Sequence, residues 1–112
     1  MRDIYYDRNG QPDSMEQWNA AFSRDRHIGR TKVAEAADLS KSIEVSTVWL
    51  GLDHRFTSNG PPLIFETMAF GEGSAMDQAC ERYSTEEQAR EGHHAMVTCI
   101  AATLIDPVVI DF

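Results

Sequence analysis

The chain has 112 residues, with ten Lys and Arg against eighteen Asp and Glu and a formal net charge of −8. One compact domain over residues 1–112 is the ceiling at this length, so a two-domain enzyme is excluded. Hydrophobic residues make up 42% and charged residues 25%, the composition of an ordinary globular domain rather than of a disordered or fibrous chain.

The opening, Tyr5-Tyr6-Asp7-Arg8-Asn9-Gly10-Gln11-Pro12, reads as a short aromatic strand followed by an Asn-Gly turn and a proline, within a strand-and-turn stretch at 1–13. Ser14 with Gln17 three residues later is a capping-box start, and Met15, Trp18 and Phe22 follow at i, i+3, i+7. The spacing predicts a helix over 14–24. Residues 28–83 read as the sheet. Its first strand, from Ile28 to Ala36, shows a weak two-residue period that suits an edge strand, although its alanines also suit a helix. The polar tract at 38–42 reads as a turn leading into Ile43 to Leu52, which is rich in β-branched and aromatic residues and forms the best strand. Asn59-Gly60-Pro61-Pro62 must be a loop, because it can continue neither a strand nor a helix. Leu63 to Phe70 is the antiparallel return, and 78–83 a short further strand.

Ser84-Thr85-Glu86-Glu87 is a second capping box, with acids at the positive end of a helix dipole. Ala89, His93, Met96, Ile100 and Leu104 run down one side of the helix predicted over 84–105, which Pro107 stops. The apolar tail at 106–112 is β-prone and suited to adding to a sheet edge, within the molecule or in a neighbour. These pieces make an α+β fold: a small, mainly antiparallel sheet of three to five strands with two helices packed on one face. The two central strands are apolar on both faces, which suggests that another subunit covers the second face and that the protein is a homo-oligomer.

Charge narrows the partners. Residues 1–56 hold nine acids and eight bases, whereas residues 57–112 hold nine acids and only Arg82 and Arg90. Direct nucleic-acid binding is not expected of an acidic chain without a basic stretch, and anionic membranes are disfavoured for the same reason. No apolar run approaches the ~20 residues that span a bilayer, and the first residues lack a signal-peptide h-region, so a cytoplasmic protein is expected. Cys80 and Cys99 are too few and too isolated for a disulfide framework or a metal knuckle, and both read as buried thiols.

Chemistry has few places to sit. Glu66 shares a strand face with Ile64, Met68 and Phe70, and a carboxylate there needs a partner or a reason. The plain reading is a salt bridge to Arg82 or Arg55 at the rim, or a solvent face; the sharper one is a ligand-binding or catalytic carboxylate. Asp53-His54-Arg55 stands at a strand end, either as a solvated turn with Asp53 capping backbone N–H groups or as a binding corner. His93, on the apolar stripe of the last helix, reads first as a satisfied core histidine. Its neighbour His94 points roughly 100° away, so the pair does not imitate a zinc helix. Asp53, His54, Glu66 and His93 are the right types for zinc or manganese but have no diagnostic spacing. No metal and no cofactor is assigned, and the common catalytic signatures are absent.

Three stretches together, Val45-Ser46-Thr47-Val48-Trp49-Leu50-Gly51-Leu52-Asp53-His54, Pro62-Leu63-Ile64-Phe65-Glu66-Thr67-Met68-Ala69-Phe70 and Arg82-Tyr83-Ser84-Thr85 with Ala89 to His93, resemble a family of small proteins encoded by bacteriophages and prophages. The resemblance covers about half the chain, and the opening from Tyr5 to Trp18 is similar as well. The end through Asp111-Phe112 lies outside it. The resemblance implies a setting, the host cytoplasm, and no reaction. Small accessory phage proteins often occupy a host protein or sequester a small molecule, so the leading expectation is a non-enzymatic binding protein that counters host defence. Its partner is a host protein or a nucleotide-like ligand, met by Trp49, Asp53, His54, Arg55, Phe65, Glu66, Arg82 and His93. The alternatives are a small metal-assisted or acid–base hydrolase using His54, Glu66 and His93, and a structural or assembly protein.

Overall fold

The computed structural model describes residues 4–53, 60–71 and 80–112. Its elements run α1 (Met15–Arg24), β1 (His27–Glu35), β2 (Asp38–Trp49), β3 (Phe65–Gly71), β4 (Cys80–Tyr83), α2 (Glu86–Ala101) and β5 (Pro107–Asp111). Each helix begins on a reciprocal cap. Ser14 Oγ accepts from the Gln17 N–H at 3.1 Å while Gln17 reaches back to the Ser14 N–H, and Thr85 and Gln88 repeat the arrangement on α2. Each pair satisfies backbone donors that the first turn of a helix leaves without partners.

All pairings in the five-stranded sheet are antiparallel, in the order β4-β3-β2-β1-β5. The register places Thr31, Val33, Val45, Thr47, Trp49, Phe65, Thr67 and Ala69 on one face, called inner, and α2 lies across it over β1, β2 and β3. The apolar stripe of α1, formed by Trp18, Ala21 and Phe22, packs against Trp49 at one end of the same layer. Trp18 stacks on Phe22 at 5.1 Å between ring centroids and donates from Nε1 to the Leu50 carbonyl at 2.8 Å. The result is the expected α+β architecture, with both helices on one side of the sheet.

Two apolar clusters fill the layer between sheet and helices. One gathers Tyr6, Trp49, Ile64, Phe65 and Ala89; the other gathers Val33, Val45, Ala69 and Ile100. Burying the valine, isoleucine and phenylalanine side chains among them contributes about 1.5–3 kcal/mol each, which is what closes the sheet against the helices.

Several boundaries differ from the sequence reading. β2 begins at Asp38, because Glu35 and Asp38 pair across Ala36-Ala37 and the polar tract bulges past β1 and rejoins the ladder at Ser42. β1 is not an edge, since the C-terminal tail pairs with it from Thr31↔Asp111 to Glu35↔Pro107. α2 ends at Ala101, and Leu104 packs on the core from the turn that follows. Both cysteines are exposed, not buried: Cys80 faces away from α2 on the short edge strand, and Cys99 sits on the flank of α2 that faces β4.

Candidate functional site

Between the two apolar clusters the inner face is polar. Thr31 on β1, Thr47 on β2 and Thr67 on β3 are exposed by 2%, 0% and 0%, and His93 of α2 reaches down among them. Gly29 stands opposite Thr47 in the β1–β2 register and makes room for the ring, because a Cβ at that position would meet His93 Cε1 and Nε2 at 3.1 Å. The imidazole bridges two threonines, with Nε2 at 2.9 Å from Thr31 Oγ1 and Nδ1 at 2.7 Å from Thr47 Oγ1. Thr47 in turn lies 2.6 Å from Thr67 Oγ1. On the other side Thr31 donates its hydroxyl hydrogen to Asp111 Oδ1 at 2.6 Å.

That last bond orders the whole chain. A carboxylate only accepts, so the single hydrogen of Thr31 is spent on Asp111 and Thr31 Oγ1 must accept from His93 Nε2–H. Nδ1 of the neutral ring is then an acceptor, filled by the Thr47 hydroxyl, which itself accepts from Thr67. Adding a proton at Nδ1 would turn Thr47 around and leave the Thr67 hydrogen without its acceptor. Burial pushes the His93 pKa below the ordinary histidine value, with the Asp111 carboxylate pulling it back up and the charge of His94 adding to the depression. Geometry and electrostatics agree on a neutral ring with both nitrogens engaged, and such a ring has no lone pair to offer a substrate.

Glu66 lies on the opposite, outer face with Met68 and Phe70, paired with Arg82 across β3–β4. Arg82 Nε meets Glu66 Oε2 at 3.0 Å, and the Cys80 thiol donates to the same oxygen at 3.4 Å. Partial burial and the Glu66 carboxylate push the Cys80 thiol up, so it is a poor nucleophile. Glu66 and His93 therefore stand on opposite faces of the sheet and do not converge. Trp49 and Phe65, candidates for a binding surface, are 1% and 0% exposed and belong to the core. Asp53 is a structural clamp: its N–H donates to the Ile4 carbonyl at 3.1 Å, and its Oδ1 accepts from the Leu63 N–H at 3.3 Å. His54 and Arg55 lie outside the described residues.

Two grooves flank α2. One, of about 570 Å³, runs between the helix and β4 over Tyr83, Ala95, Met96, Cys99 and Ile100. The other, of about 500 Å³, lies toward β5 over Thr31, His93, His94, Thr98 and Asp111. Among the described residues, no three His, Cys, Asp or Glu side chains come together as a metal-holding group. The threonine bed had no warning in the sequence beyond Thr31, Thr47 and Thr67 at core-facing parity within β-prone runs. Asp111 reaches it only through the pairing of the tail with β1. No family model, curated protein or solved structure matches the chain.

Proposed function

We propose that this is a small phage- or prophage-encoded accessory protein that acts by binding a host protein and performs no chemistry of its own. The observation that carries the reading is the commitment to structure of the two candidate acid–base side chains among the described residues, His93 and Glu66. Both nitrogens of His93 are tied to threonines, and Glu66 is paired with Arg82 on the far face. What the molecule offers instead is shape. The groove beside β4 is concave and mostly apolar, with Tyr83, Thr103 and Glu81 supplying a few polar atoms, the usual make-up of a recognition site. Gly92 contributes to it: without a side chain, the helix lets the Tyr83 ring lie directly against it and open the groove wall.

The test is native mass spectrometry of the protein recovered from infected cells. Wild type should carry a host protein of constant mass, and Ala95→Arg, which fills the groove from an exposed helix position, should lose it. His93→Gln should retain that partner as long as the domain folds. A retained small molecule would favour sequestration of a ligand instead. Turnover of a substrate, lost in folded His93→Gln, would overturn the reading.

A further inference from the structure

The outer face of the sheet carries large apolar side chains in the open: Phe70 is 43%, Ile110 49% and Phe112 51% exposed. Both helices occupy the other side of the sheet. The geometry points to a second copy of this chain as the occupant of the outer face, in a two-fold, sheet-on-sheet dimer.

Charge and area support that choice. On the β1–β5 half, Phe112 is held by cations, with the Arg30 guanidinium 4.4 Å and the Lys32 ammonium 5.5 Å from its ring centroid. On the other half, Glu66 with its partner Arg82 borders Met68 and Phe70, and Glu44 of β2 lies between the halves, 3.8 Å from Arg30. One half thus carries two cations, while the rest of the face carries two anions and one cation. A two-fold axis lying between two facing sheets and parallel to their strands sets the first half of each copy on the second half of the other. Arg30 and Lys32 then meet the Glu66–Met68–Phe70 strip, their aliphatic stems covering apolar surface and their charges meeting carboxylates. Among the described residues, the charged side chains named on this face sum to +1 in a chain of −8, which makes it a favourable approach for two such acidic molecules. Five strands about 4.8 Å apart and roughly 25 Å long present on the order of 600 Å². Two such faces reach about 1,200 Å², the lower bound for a specific interface.

The two free cysteines give an internal control, because Cys80 lies on the outer face and Cys99 on α2. Sedimentation of the full chain at about 50 µM should show twice the 12.6 kDa monomer mass, and maleimide labelling of Cys80, but not of Cys99, should slow as concentration rises. Lys32→Glu and Phe70→Ser, both at exposed positions, should each weaken association by at least about tenfold while leaving the far-ultraviolet circular dichroism unchanged. A single monomeric species up to about 500 µM would overturn the proposal. So would association that protects Cys99 in place of Cys80, which would put the interface on the helix side.

Discussion

Replacing Thr47 with Val keeps the shape of a side chain that is 0% exposed and removes the hydroxyl at the centre of the polar chain. Two bonds vanish together, the one to His93 Nδ1 at 2.7 Å and the one to Thr67 at 2.6 Å. Each leaves a buried polar atom without its partner, at about 1–2 kcal/mol apiece, so Thr47→Val should cost about 2–4 kcal/mol and lower Tm by about 10–15 °C. The direction of the chain makes a sharper statement. Thr67 only donates into it, so Thr67→Val removes one bond while Thr47 still serves His93, and should cost only about 1 kcal/mol. The orphaned Thr67 hydroxyl is part of the cost of Thr47→Val, so the double substitution should cost about 1 kcal/mol less than the two single costs together. Urea unfolding with unchanged m-values is the assay. Equal costs for the two single variants, or strict additivity, would refute the deduced order of donors and acceptors.

Acid should weaken the fold through the same ring. The folded-state pKa of His93 lies below the unfolded value of about 6.5, so its contribution is complete above that pH and is lost as the pH falls through and below it. Thermal melts between pH 7.5 and 5 should show this loss in wild type and less of it in His93→Gln; parallel curves would contradict the assignment. Gly29→Ala should cost about 1–3 kcal/mol, because the new Cβ meets the ring at 3.1 Å, and much less in a His93→Ala background, as a chemical-denaturation double-mutant cycle would report. Asp111→Asn removes the charge that raises the His93 pKa, so NMR titration should find the ring titrating still lower, and an upward shift would count against the Thr31 bridge.

The local rules of the sequence located both helices, because a capping box with a 3.6-residue stripe carries its information within a few residues: Ser14 with Gln17 and the stripe from Ala89 to Ile100 are where the pattern puts them. The strand pair formed by β2 and β3 was legible for the same reason. What failed was long-range. β1 resembled an edge because its second neighbour comes from residues 107–111. The acid among apolar side chains at Glu66 was visible, but β3 is apolar on both sides, so the pattern did not say which face α2 would cover. Trp49 and Phe65 were assigned to a binding surface through the same ambiguity. The polar bed was hidden, because threonine is an ordinary strand residue, and only the register that sets Thr47 beside Thr67 and Gly29 turns three of them into a cradle for His93.

Long-range nitrogen–proton correlation spectra of the histidine rings decide most directly whether His93 is locked into the fold between Thr31 and Thr47. The account predicts that His93 at neutral pH carries its proton on Nε2 with Nδ1 bare, and titrates below the ordinary histidine value. A ring protonated on Nδ1, or one titrating at or above the ordinary histidine value, would contradict it and return His93 to the list of groups available for chemistry.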